Sequence, residues 1–171
     1  MPSTIITGAE MYNKVIRQIP KAHRFVWIGT ADIKDMHVAV GNGSVSFLYM
    51  LNHLVQKGVE IRLLHAKEPG KNFRDSYDKY PTLWKKMERR MCPRVHFKIV
   101  VIDGQFAYTG SANLTGAGLG MKSPYRRNFE MGIITTEADW IDTIMQYFDA
   151  IWQGTQCPAC GRKKFCKDPI K

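Results

Sequence analysis

The eighteen residues from His96 to Asn113, HFKIVVIDGQFAYTGSAN, constrain this chain more than any other segment. Asp103-Gly104 stands between two runs of β-branched and aromatic residues. That pattern predicts a hairpin, because a tight two-residue turn needs positive φ and Asp and Gly adopt it at little cost. In that register Ile102 faces Gln105, Lys98 faces Thr109 and His96 faces Ser111. Side chains alternate along a strand, so His96, Lys98, Thr109, Ser111 and Asn113 would project from one face. Phe97, Ile99, Val101, Phe106 and Tyr108 would line the other and anchor the hairpin in a core.

An imidazole, an ammonium, two hydroxyls and an amide on one face suit phosphoryl chemistry. A neutral imidazole can attack phosphorus, while Lys98, Ser111 and Asn113 hold the non-bridging oxygens and offset the charge that develops on them. This set supplies its own positive charge, so no metal cofactor is expected for catalysis. Asp103 falls in the turn, which points to turn formation through its side chain and away from general-base work.

His96-x-Lys98, four residues, Asp103 and then Gly110-Ser111-x-Asn113 resembles the HKD signature of the phospholipase D superfamily. The resemblance implies that His96, Lys98, Asp103, Ser111 and Asn113 form the catalytic motif, with His96 the nucleophile that forms a phosphohistidine. It implies too that the histidine of a second motif protonates the leaving group, and that a downstream acid orients the nucleophile; Glu130, in Asn128-Phe129-Glu130, occupies that place. This chain carries one complete motif. His65-Ala66-Lys67 is also His-x-Lys but has Asn72 where the aspartate belongs and no Gly-Ser-x-Asn after it, so it reads as a strand end with a charged exit. The single-motif members of the family imply the repair, a two-fold homodimer that brings two copies of His96 together.

The rest of the chain alternates helix and strand. Helical spacing covers Ala9 to Ile19, a β-rich run covers Arg24 to Ala31, and after the Gly41-Asn42-Gly43 loop Ser44 caps a helix bearing Phe47, Leu48, Leu51, Leu54 and Val55. Val59 to Ala66 reads as a strand, Lys67 to Tyr80 as a loop, and Pro81 opens a basic helix through Met91. A glycine-rich loop, a strand from Phe129 to Thr135 and a helix capped by Thr136 and stopped by Gly154 complete the order. The expected fold class is α/β, a mixed sheet flanked by helices. With the resemblance, this becomes a phospholipase D-like half-domain over residues 1–154 and a short basic, cysteine-containing tail over 155–171.

The net charge of +10 favours a polyanionic partner, and eleven Lys or Arg lie between Arg62 and Lys98. Lys122, Arg126 and Arg127, with Tyr125 among them, follow the motif and suit substrate binding along a nucleic-acid backbone with a stacked base, as Thr109 would from the hairpin. Nucleic acid is therefore the expected substrate. The alternative is a phospholipid phosphodiesterase or transphosphatidylase of the cardiolipin-synthase type, and a non-catalytic nucleic-acid scaffold is the third class. Neither a secretory pattern at the start nor an apolar stretch of bilayer-spanning length stands out, so a cytoplasmic protein without stable membrane insertion is expected. In the tail, Cys157-Pro-Ala-Cys160 with Cys166 resembles half of a zinc ribbon or knuckle, a candidate structural zinc site. Its fourth ligand is left open between Cys92, His37 and another His.

Overall fold

The computed structural model describes residues 3–40, 43–123 and 125–167. Gly41 and Asn42 of the expected loop, and the last four residues of the tail, lie outside them. Nine strands run β1 (Ser3–Thr7), β2 (Phe25–Thr30), β3 (His37–Val40), β4 (Gly43–Ser46), β5 (Glu60–His65), β6 (Glu88–Met91), β7 (Lys98–Ile102), β8 (Phe106–Gly110) and β9 (Met131–Thr135). Seven of them form one sheet in the order β1-β9-β8-β7-β2-β5-β6, and β3 and β4 form a separate ribbon. β2, β5 and β6 are parallel, while every other neighbouring pair in the large sheet is antiparallel, so the sheet is mixed.

Helices cover both faces. Among the described residues the five α-helices are α1 (Glu10–Lys14), α2 (Phe47–Gln56), α3 (Lys71–Tyr77), α4 (Pro81–Lys86) and α5 (Ala138–Trp152). On one side α1, α2 and α4 bury Met11, Leu48, Leu51, Leu54 and Leu83 against Val26, Ile28, Leu63, Val100, Ile102 and Tyr108. On the other α5 sets Ile141, Phe148 and Trp152 over Leu64, Ile99, Val101 and Ala107. The two strands of the central hairpin are thus apolar on both faces over most of their length, which is why β7 reads as a continuous buried run.

Several expectations are corrected. The hairpin pairs Ile102 with Phe106, Ile99 with Thr109 and Lys98 with Gly110, one residue away from the expected register. Its tip has three residues, with φ of 56° at Asp103 and 69° at Gly104. A one-residue shift exchanges the faces, so Thr109 stands beside Ile99 on the α5 side of the sheet, across from Lys98. The expected helix at 9–19 splits into α1 and a 3-10 helix at Ile16–Lys21 that contains Pro20, since proline interrupts the α-helical hydrogen-bond ladder. Ser44 lies in β4; the cap of α2 is Ser46, whose Oγ accepts from Tyr49 N at 3.0 Å. The expected loop before Pro81 contains α3, the basic helix after it stops at Lys86 and gives way to β6, and Glu137 holds the cap position of α5.

Candidate active site

His96 lies just before β7, on the antiparallel neighbour of β2, so it emerges where β2 ends. Parallel β5 ends on the same side, at His65 beside Thr30. The ends of central strands in a mixed sheet converge there, and polar groups can meet without a helix above them. His96 is exposed, and its imidazole makes no hydrogen bond among the described residues. It stands open to solvent at the sheet's mouth.

Lys98 is buried, with 6% of its surface accessible, and Nζ donates to the His96 backbone oxygen at 2.6 Å. Burial pushes the ammonium's pKa down, and the negative charge of Glu130 pulls it back up. Ser111 follows β8; its Oγ donates to the Glu130 carboxylate and accepts from Met131 N at 3.1 Å. Glu130 also accepts from Asn128 Nδ2 at 3.0 Å. The acid that the resemblance assigned to orienting the histidine therefore holds Ser111 and Asn128 in this structure.

Asn113 is fixed from the other side. Its Oδ1 accepts from Asp32 N at 3.2 Å and Thr30 Oγ1 at 3.3 Å, while Leu114 N donates to Thr30 Oγ1 at 3.2 Å. Its amide oxygen is thus occupied by the end of β2, and the Nδ2 donors remain for a substrate oxygen. Asp32 in turn pairs with Lys67 at 3.4 Å, which brings the exit of the incomplete His65-x-Lys67 motif beside the complete one. His65 itself is buried, with Nδ1 against Lys67 O at 2.7 Å. Thr30 and Asp32 carry no motif signal; only the sheet order brings them to Asn113.

Tyr108 lies under the site and was expected only as core. It is buried, and its hydroxyl accepts from Ala112 N at 3.3 Å in the Gly-Ser-x-Asn turn. Desolvation, with the Glu130 charge, raises its pKa to about 12 against the Ala112 bond, so the phenol stays neutral. Gly110 gives this ring room: a Cβ there would lie 2.6 Å from Tyr108 Oη and 2.7 Å from the Gly132 Cα.

Asp103 is at the far end of β7. Its carboxylate accepts from the backbone N–H groups of His23, Arg24 and Phe25 at 2.9, 2.8 and 2.9 Å, gripping the start of β2. Burial would raise this carboxyl, but the three donors and the neighbouring His23 charge outweigh it and hold the pKa below the ordinary carboxylate range. Lys122, Tyr125, Arg126 and Arg127 lie on the loop that runs from the motif back to Glu130. Arg126 N and Arg127 N both donate to Ser123 O, and Tyr125 is 97% exposed. No ion pair engages these cations among the described residues.

Comparison with known proteins agrees with this fold. The family model described as "Cardiolipin synthase, PLD-like domain" matches residues 15–152. Cardiolipin synthase 1 of Staphylococcus aureus (strain COL) is 26% identical over 160 residues, 86% of this chain and 31% of that protein. The chain thus spans about a third of the length of the curated relatives it matches. Among solved structures, NucT from Helicobacter pylori gives a TM-score of 0.65 at 15% identity, over 86% of this chain and 92% of that one. Nuc from Salmonella typhimurium, a phospholipase D family member, gives 0.64 at 14% identity, over 88% and 94%. At such identities the two structures show a shared fold.

Proposed function

The chain belongs to the phospholipase D-like domain family of the cardiolipin synthase type, and from that premise we propose that it is a phosphodiesterase, most specifically a nuclease, working through a phosphohistidine on His96. The observation that carries the reading is an unpartnered imidazole at the sheet's mouth, beside a buried ammonium and an amide already locked by its oxygen. One imidazole nitrogen attacks phosphorus; the bond to the leaving oxygen breaks, and that oxygen takes a proton from His96 of a second copy. Water then attacks the phosphohistidine, losing a proton to the second imidazole, and the first His96 is freed. Lys98 and Asn113 Nδ2 hold the non-bridging oxygens throughout.

An exposed apolar strip beside the motif supports a second copy. Phe129 and Met131, 103% and 61% exposed, stand on either side of Glu130, and Ile5, 66% exposed, lies on neighbouring β1 opposite Ile133. Large apolar groups clustered beside a half-site are suited to burial against an identical patch related by a two-fold axis.

The nucleic-acid reading rests on the net charge of +10 and on the exposed Lys122, Arg126 and Tyr125. The family match to cardiolipin synthase, with the exposed Phe129, supports the second reading, a phospholipid phosphodiesterase or transphosphatidylase. Among the described residues no helix is long and apolar enough to cross a membrane. Labelled single-stranded DNA, RNA and phosphatidylcholine vesicles, each incubated with the protein without added metal ion, separate the readings. Cleavage of either nucleic acid is expected; lipid turnover with both nucleic acids intact would reverse the ranking.

A further inference from the structure

All four cysteines of the chain meet on one side of the molecule, although 65 residues separate Cys92 from Cys157 in sequence. Cys92 follows β6, where its N–H donates to His65 O at 2.9 Å. Gly154, at φ 74°, turns the chain after α5 and delivers Cys157 and Cys160, and a 3-10 turn at Lys163–Phe165 delivers Cys166. Together they line one small cavity of about 30 Å³, whose other walls are Pro93, Arg94, Arg162 and Lys163. All four are half-buried free thiols.

Cys160 N donates to Cys157 O at 3.2 Å, closing the Cys-x-x-Cys turn, and the Arg162 backbone N–H bonds to the Cys160 sulfur. Arg94 Nη1 reaches the same sulfur at 3.8 Å. Four thiolates on a divalent ion leave a net double negative charge, and the walls of this cavity include three cations, Arg94, Arg162 and Lys163. Surroundings of that sign lower the cost of forming thiolates.

We propose that Cys92, Cys157, Cys160 and Cys166 bind one structural zinc ion. Among the described residues no group of three or more His, Cys, Asp or Glu already stands in a metal-holding arrangement, so binding draws the four sulfurs inward across the cavity. Cys166 then gives up its 4.0 Å contact with Met91 O. The thiol protons leave to solvent as the metal–sulfur bonds form. His37 is set aside as a ligand, because it lies on the β3–β4 ribbon and does not line the cavity. Cys92 is four residues before His96, and Val95 N donates back to Cys92 O at 2.9 Å. The ion therefore ties the tail to the segment that delivers the nucleophile.

The test uses the full chain, expressed with zinc available, assayed for metal content and thiol accessibility, then exchanged into cobalt. About one equivalent of zinc is expected, with thiols that alkylate slowly until it is removed. The cobalt protein should show tetrahedral d–d bands and a strong thiolate charge-transfer band, weakened in Cys92→Ser and unchanged in His37→Ala. Less than about 0.1 equivalent of zinc with no cobalt uptake would overturn the site. So would iron with inorganic sulfide, or disulfides among the four cysteines. A Cys92→Ser cobalt spectrum identical to that of the unaltered chain would overturn the four-thiolate assignment.

Discussion

Glu130 links the groups proposed for catalysis through its two hydrogen bonds and its field. It accepts from Ser111 and Asn128, and its charge opposes the effect of burial on Lys98. Glu130→Gln should lower kcat by roughly 10²-fold with a smaller change in KM, because the loss falls on groups that hold charge developing in the transition state. Single-turnover kinetics beside steady-state assays would measure the split; an equal loss with unfolding would indicate a structural role alone. Asp103 differs, since it acts on stability. Its three backbone donors lie at the start of β2, far along β7 from His96, so Asp103→Asn should cost about 1–3 kcal/mol. A carboxylate held below its unfolded pKa contributes stability that is full above the unfolded value and is lost as pH falls through the folded one. The gap between unaltered protein and variant in urea melts should therefore be complete near neutrality and narrow below about pH 4. A gap independent of pH would contradict this assignment. The residues of the motif were legible in the sequence because their chemistry is written in their types. Thr30 and Asp32 were not, because they reach Asn113 through the order β8-β7-β2 in the sheet and the bridge from Ile33 to Leu114.

Among elements, the central hairpin shows why its strands were legible and its register was not. Alternation and Asp-Gly mark two strands whatever the turn length, but a third tip residue moves every cross-strand partner by one. The decisive contacts come from outside the hairpin: Asp103 N donates to Phe25 O, and its carboxylate grips the next strand in the sheet. The polar face was drawn too wide for a related reason. Val100, Ile102 and Tyr108 share the face of Lys98 and belong to the core under α1 and α2, so only the ends of the hairpin are free to carry the site. Gly110 and Gly132 let β8 and β9 close over Tyr108. Gly110→Ala should destabilise the protein by about 1–3 kcal/mol, since the added carbon meets backbone on one side and a fully buried ring on the other. Thermal melts would test this, and a neutral effect would mean that the β8–β9 pair can separate locally. Short elements such as α3, β3 and β4 escaped the sequence reading because four to seven residues carry too little periodicity to stand out from a loop.

Over the whole molecule, the exposed side chains of Ile5, Phe129 and Met131 mark the surface on which the proposed second copy would dock. If each site needs His96 from two copies, subunit exchange with excess inactive chain must dilute activity faster than linearly. Equal amounts of unaltered and His96→Ala chains, allowed to exchange, should retain about a quarter of the specific activity expected for all-unaltered dimers. About a half would indicate sites confined to single chains. Met131→Asp should shift sedimentation toward monomer and lower activity in parallel. The proposed reaction rests on His96 as the nucleophile, and the most direct measurement is to trap the protein with a phosphodiester labelled in its phosphorus, quench in alkali and map the label by mass spectrometry. An alkali-stable, acid-labile adduct on His96 is expected, absent from His96→Ala; turnover by His96→Ala at the unaltered rate, or label on another residue, would contradict it.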